Sequence, residues 1–249
     1  MSTKTSNLAL WIAGGTVLAA AIFAAIWLTL PQATSPANNA TTSQPTSTAA
    51  TTPTTPPNPA LPALEQVTVT DTLIQIGQAD APVTVDSYLE FMCPTCGYLE
   101  RENEPLMRQM IIDGQLRVNF HLMNFLDPAS EGTDYSTRAV NATVEIARRQ
   151  GALAWDFIAA LYEYQPDEFT PGLSDDDLTT IATNLGVSPE ISSTFADLNE
   201  ASWVTASNMA ASDGLTALGA TGTPTIVING RKWEGEVSFA DALSAAANG

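Results

Sequence analysis

Hydrophobic positions along the chain fall into three regimes. Leu8 to Leu30 is an apolar run without a charged side chain. Pro31 to about Pro62 is mainly Thr, Ser, Pro, Ala and Asn. From Ala63 onward, apolar and polar positions recur with the periods of strands and helices. Val67 to Gly77 predicts one or two short strands, and the β-rich Val83 to Phe91 a longer one. Pro94 to about Asp113 predicts a helix with Leu99, Leu106, Met110 and Ile111 on its buried stripe. Pro105 inside that helix should kink or interrupt it, because proline lacks the N–H and crowds the preceding turn. Gly114 ends it, and Leu116 to Leu122 predicts the next strand. Helices are then expected at about Asp134–Arg149, Leu153–Tyr164, Ser174–Leu185, Pro189–Leu198 and Ala201–Leu218. Ser174 and Asp177 have capping-box spacing, and Pro189 suits a first helical position. Thr225–Ile228, the turn Asn229-Gly230 and Arg231–Trp233 read as a hairpin. Phe239 to Ala247 closes the chain as a helix. The order is strand, helix, strand, a block of helices, hairpin, helix. It predicts an α/β domain over residues 63–249, with a right-handed crossover first and helices inserted at about 128–218.

The apolar run is long enough to cross a bilayer at about 1.5 Å of rise per residue. Trp11 and Trp27 stand near its ends, where amphipathic rings prefer the interface. Lys4 and the terminal amine supply positive charge on one side, and no charge follows before Glu65. Residues 1–7 are therefore expected in the cytoplasm, 8–30 as a transmembrane anchor, and the remainder outside the cell membrane. A cleaved signal peptide is the rival, but the run exceeds the usual apolar region and no small-x-small site ends it. Residues 31–62 contain too little apolar surface to offset the entropy of ordering, so a disordered tether is expected.

Composition narrows the chemistry. Nine basic residues stand against 27 acidic ones, for a formal charge of −18. Nucleic-acid binding needs a basic footprint and is not expected. Cys93 and Cys96 are the only two cysteines. Their short loop removes little entropy from the unfolded chain, so they are a poor structural staple. A zinc site needs about four ligands, and the single histidine, His121, is distant in sequence. No metal or other cofactor is expected beyond a redox-active disulfide.

Cys93-Pro94-Thr95-Cys96 stands where a strand hands over to a helix. The first sulfur then lies at a helix N-terminus, where unpaired N–H groups and the macrodipole favour a thiolate. Cys93 is the expected nucleophile and Cys96, one turn further in, the expected resolving thiol. Pro94 suits the first turn because the N–H it lacks has no helical partner there. Two structural thiols are the competing explanation of the spacing alone. Gly222-Thr223-Pro224-Thr225 precedes the hairpin. An ordinary trans proline opening an edge strand would explain Pro224, whereas a cis bond would turn the Thr223 backbone outward to pair with an extended substrate segment.

Phe91-Met92-Cys93-Pro94-Thr95-Cys96, followed far downstream by Gly222-Thr223-Pro224-Thr225, resembles the DsbA-like thioredoxin family, in particular its membrane-anchored actinobacterial members. Asn124–Asp127, Asp134–Ala139, Tyr164-Gln165-Pro166 and Gly172–Asp176 are similar to segments of that group. The resemblance covers about Val67 to Gly249. It implies a thioredoxin fold with a helical insertion and a cis bond before Pro224. It also implies oxidation of exported proteins with free thiols, followed by reoxidation by a membrane-bound partner. The dimeric isomerases of the family carry an extra domain, and a monomer is expected here. Two departures matter. Strongly oxidising members have histidine where Thr95 offers only a hydroxyl, which leaves a reductase or isomerase open. Relatives with a buried acid six residues before the first cysteine correspond here to Ser87, and Glu90 becomes the candidate proton acceptor for Cys96. A tethered binding or chaperone module with a structural disulfide is the alternative from another class.

Phe91, Met92, Tyr98 and Trp233 are candidates for an apolar rim that grips unfolded substrate, with core packing the competing role for Phe91 and Tyr98. His121 is expected to be a packed or hydrogen-bonded strand residue rather than a catalyst.

Overall fold

The structure, a computed structural model, describes residues 64–249. The expected N-terminal segment, anchor and tether lie outside the described residues. Among those described, no helix is long and apolar enough to cross a membrane.

Six strands form one sheet in the order β1-β2-β4-β3-β5-β6. They are β1 (Val67–Val69), β2 (Ile74–Ile76), β3 (Val83–Glu90), β4 (Leu116–Met123), β5 (Thr225–Ile228) and β6 (Arg231–Lys232). β3 and β4 are parallel and the other pairs antiparallel. Helix α1 (Pro94–Ile112) connects the parallel pair, as a parallel connection requires.

Register assigns every second residue to one face. Val85, Val118, Ile76 and Ile228 are cross-strand neighbours on the first face, as are Ser87, Phe120, Ile74 and Ile226. Apart from Ser87 these side chains are apolar and buried in the main core. Each large one taken out of water stabilises the fold by ~1.5–3 kcal/mol. The second face carries Asp86, Tyr88 and Glu90 of β3. It is partly covered by α6 (Ala201–Ala217), where Tyr88, Met123, Ala211, Leu215 and Val227 form a smaller apolar cluster. Gly214 lets α6 approach, since a Cβ there would stand 2.6 Å from the Tyr88 hydroxyl.

Between β4 and β5 lie α2 (Tyr135–Arg149), α3 (Ala154–Glu163), α4 (Asp175–Asn184), α5 (Pro189–Ser192) and α6. The Ser174–Asp177 capping box is formed. Helix α7 (Phe239–Ala247) ends the chain, capped by Ser238. Two expectations are corrected. The interruption expected at Pro105 does not occur, since one helix spans it, with Cys96 and Leu99 buried before the proline and Met107, Met110 and Ile111 after it. Anchorage on both sides outweighs the lost hydrogen bond. The helix expected at Pro189–Leu198 stops at Ser192, followed by a separate 3-10 turn at Phe195–Asp197. Thr194 there bonds its hydroxyl to the Ile191 carbonyl at 2.7 Å and to Glu145 at 2.6 Å, a local competitor to continued helix.

Candidate active site

The parallel pair β3 and β4 delivers two chain ends to the same edge of the sheet, since Glu90 is the partner of Met123. Beyond Glu90 the chain makes a tight turn, closed by the Cys93 N–H to the Glu90 carbonyl at 3.2 Å, and enters α1 at Pro94. Cys93 is the residue that caps this helix. Cys93 is 8% exposed, whereas Cys96 one turn on is fully buried. Both are free thiols in this structure.

Their environments push them in opposite directions. Cys93 is lowered to about 6, first by a hydrogen bond from the Cys96 side chain. Burial works against this, while Thr223 and the N–H groups of Cys96 and Thr95 reinforce it. Cys96 is pushed far above its ordinary value, first by burial and then by its bond to Cys93 and the charge there. One sulfur is thus prepared as a thiolate at neutral pH and the other held as a thiol.

Across from the pair, the Thr223–Pro224 peptide is cis. The protonated Cys93 thiol donates to the Thr223 carbonyl at 3.5 Å. The Thr223 hydroxyl is buried without a partner in this arrangement, and it is the group that can donate to the sulfur once the proton has left.

Residues 69–246 match the thioredoxin family. The chain belongs to that family. A curated relative is the serine/threonine-protein kinase PknE of Mycobacterium tuberculosis, 33% identical over 179 residues, which are 69% of this chain and 30% of the kinase. The chain therefore spans under a third of that relative's length. Solved structures similar to it include two proteins titled MdbA, a thiol-disulfide oxidoreductase. The one from Corynebacterium matruchotii is 25% identical at a TM-score of 0.63, covering 71% of this chain and 89% of the other. The one from Corynebacterium diphtheriae is 26% identical at a TM-score of 0.63, with coverages of 72% and 92%. Within the thioredoxin family the chain is thus of the MdbA-like kind.

Glu90 lies beneath the thioredoxin-type cysteine turn and is fully buried. Its Oε2 accepts the Met92 N–H at 2.5 Å. Burial dominates its titration and raises it to about 7. The Ser136 hydroxyl is close enough to oppose that rise, yet neither Glu90 Oε1 nor Ser136 Oγ reaches a formed hydrogen bond. The Glu90 backbone also works against the rise of the Cys96 thiol. Ser87 sits on the other face of the sheet among apolar neighbours, its hydroxyl without a partner. It offers no proton acceptor. Among the described residues no group of three or more His, Cys, Asp and Glu side chains could hold a metal ion.

The expected apolar rim is corrected in part. Phe91 and Met92 are fully buried and cannot grip a substrate. Phe91 packs on the Tyr162 ring, 5.3 Å between centroids, so both residues support the turn from below. Tyr98 is 64% exposed. Trp233 is half-buried and, with Pro224, Thr225, Ile226 and Lys232, lines a shallow cavity of about 260 Å³ beside the cis peptide. His121 is remote from the sulfurs, stacked on Tyr88 at 4.0 Å and bonded to Asp86 at 3.0 Å.

Sequence reasoning missed Gln165, whose amide reaches the Cys93 carbonyl at 2.9 Å and the Phe91 carbonyl at 3.0 Å. It also missed Tyr135 and Ser136, which bring buried, unpartnered hydroxyls to the Glu90 side. Only the family-like segments around these residues hinted at them, because no spacing signal spans such a separation.

Proposed function

We propose that this chain is an extracytoplasmic thiol–disulfide oxidoreductase that oxidises cysteine pairs of exported proteins through Cys93 and Cys96. The observation that carries this reading is the inequality of the two sulfurs, with Cys93 lowered to about 6 and Cys96 raised and buried. A substrate thiolate attacks Sγ of the disulfide-bonded Cys93. The Cys93–Cys96 bond breaks, its electron pair goes to Cys96, and Cys96 takes a proton. The second substrate thiolate then attacks the substrate's own sulfur in the mixed disulfide. Cys93 leaves as a thiolate, and a low pKa makes it a good leaving group. The substrate is oxidised to a disulfide and the protein reduced to its dithiol.

Glu90 is the group we assign to the Cys96 proton. With a pKa of about 7 it holds a proton in a substantial fraction of molecules at neutral pH. It can give that proton to the departing Cys96 and take it back when the disulfide re-forms. Thr223 orients the substrate segment, and Pro94 and Thr95 shape the turn. Reoxidation falls to a membrane-bound partner, consistent with an anchor at residues 8–30 and a tether at 31–62. The protein works as a monomer.

The test is the exchange equilibrium of the full chain, in detergent, against glutathione. A potential of about −120 to −180 mV is expected and places it with oxidases and isomerases. A value at or below about −250 mV would make it a reductase. Cysteines that never exchange would leave a tethered binding module with a structural pair.

A further inference from the structure

No side-chain cap bond is formed from the Cys93 thiol to α1, and the Thr95 and Cys96 N–H groups lie near enough to favour its thiolate form. The turn is held from the helical block. Gln165 follows the end of α3, and its amide Nε2 donates to the Phe91 carbonyl at 3.0 Å and to the Cys93 carbonyl at 2.9 Å. A primary amide has two N–H groups, and both are used on one short turn. The Cys93 carbonyl also receives the Gly97 N–H at 3.2 Å, so the amide shares an acceptor with the opening turn of α1.

The other end of the amide is fixed as well. Arg101 Nη1 donates to the Tyr162 carbonyl at 2.5 Å and stands 3.5 Å from Gln165 Oε1. A methyl group on Gly97 would lie 2.0 Å from Gln165 Oε1 and 2.8 Å from Arg101 Nη1. A larger residue there would have to push the ends of the Gln165 and Arg101 side chains out of their present places. The Gln165 amide and the Gly97 N–H thus converge on the backbone that carries the reacting sulfur, with Arg101 behind the amide.

We propose that Gln165 is a positioning residue for the thiol chemistry: it clamps the Phe91 and Cys93 carbonyls and thereby the turn that aims the Thr95 and Cys96 N–H groups at the Cys93 sulfur. The inference takes from the proposed function only that Cys93 is the reacting sulfur. Two physical effects follow. The amide donors draw on the partial negative charge of carbonyls that flank the thiolate, and they fix the donors that stabilise it. Without them, thermal movement of the turn dilutes the favourable geometry. The other charged or titratable groups at this turn are Cys96, Glu90, Arg101 and Tyr162, whose hydroxyl donates to the Glu90 carbonyl at 3.5 Å, and none of them bonds the Phe91 or Cys93 carbonyl.

The experiment compares the full chain in detergent with Gln165→Glu and Gln165→Met. Glutamate is isosteric but sets a carboxylate against both carbonyls. Methionine keeps the bulk and removes the donors. Thiolate absorbance follows the Cys93 titration, glutathione exchange gives the redox equilibrium, and thermal melting follows the fold. For Gln165→Glu the Cys93 titration should move upward, and exchange should shift toward the reducing side by about tenfold, equivalent to about 30 mV. Gln165→Met should shift the same way by less, with melting close to the parent's. Folded variants whose titration and exchange stay within about twofold of the parent would overturn the inference. If neither variant folds, Gln165→Asn withdraws the donors from both carbonyls while keeping an amide, and an unchanged Cys93 titration there would overturn it equally. A parent potential typical of a reductase would defeat the oxidase reading and leave this inference intact, since it is read from the difference between parent and variant.

Discussion

Asp86 and Glu90 stand four residues apart on the same face of β3 and meet opposite fates. Asp86 belongs to a ladder in which each polar side chain finds the next. Gln75 donates to Asn119 at 2.9 Å, Asn119 donates to Asp86 at 3.0 Å, and His121 bonds the same carboxylate at 3.0 Å. Burial would raise the Asp86 carboxyl, but the bonds from His121 and Asn119 and the charges of His121 and Arg117 outweigh it and hold it low. Glu90 has one backbone donor for Oε2 and none for Oε1, and burial raises it to about 7. Ser136 and Tyr135 beside it, and Thr223 at the sulfurs, also present buried hydroxyls without partners. Each such group costs ~1–3 kcal/mol relative to a satisfied one. Unmet polar capacity gathers where protons and sulfur must change hands, while Gln75, Asn119, Asp86 and His121 on the same sheet face pair with one another; Arg117 Nε is the buried atom of that part of the face left without a partner.

The largest break in this comparison comes from the cysteines. Cys96→Ser should leave a thiol at position 93 that alkylates rapidly at pH 7, whereas Cys93→Ser should leave Cys96 almost unreactive. A ratio of at least about a hundredfold is expected from the thiolate fractions and from burial together. Iodoacetamide kinetics on the full chain measure it. Equal rates would remove the asymmetry on which the proposed function stands.

Next in size is Glu90→Gln. Loss of the proton carrier should slow reduction of the Cys93–Cys96 disulfide by substrate thiols roughly a hundredfold, within the range usual for acid–base catalysis. Stability should move the other way. The folded pKa is raised from 4.5 to about 7, so the parent's stability from this group is full below pH 4.5 and is lost as pH rises through about 7. The oxidised variant should therefore gain on the oxidised parent by up to ~3 kcal/mol between pH 4.5 and pH 8. Denaturant titrations at the two pH values check the sign. A gain on the acid side would mean that Glu90 is an ordinary paired carboxylate.

Thr223→Val keeps the shape and removes the hydroxyl that can donate to the thiolate. One hydrogen bond of about 1 kcal/mol corresponds to about fivefold in the Cys93 thiolate equilibrium. An upward move of that size in the thiolate titration is expected, smaller than that of Gln165→Glu. No move would assign thiolate stabilisation to the helix N–H groups alone.

Much of this arrangement was legible beforehand. The boundaries of β3, α1, β4 and β5 follow from local alternation and from Pro94, Gly114 and Asn229-Gly230, all of which act within a few residues. The cysteine pair at a strand-to-helix junction carried its own chemistry for the same reason. What was hidden depends on long-range contact. Phe91 and Met92 look like surface candidates because they adjoin the cysteines, but the turn after Glu90 directs both inward. Gln165 is unremarkable in sequence and matters only because the helical block folds back onto Phe91 and Cys93. Pro105 illustrates the converse, a strong local signal overridden by packing on both sides of it.

The smallest redox effect should come from the paired half of the comparison. His121→Phe preserves a ring against Tyr88 but removes the bond to Asp86, leaving that carboxylate with Asn119 as its remaining side-chain donor. The loss should destabilise the fold by about 1–3 kcal/mol. Its pH dependence is opposite to that of Glu90. A carboxyl held below its unfolded value of 3.8 contributes stability that is present above that value and is lost as pH falls through the lower folded one. The penalty of His121→Phe should therefore be visible at pH 7 and shrink toward pH 3, while the glutathione equilibrium and the Cys93 titration stay at the parent's values. A variant that shifted the Cys93 titration would show that the ladder and the sulfur site are coupled along β3, and that pairing on this face tunes the chemistry instead of sealing it off.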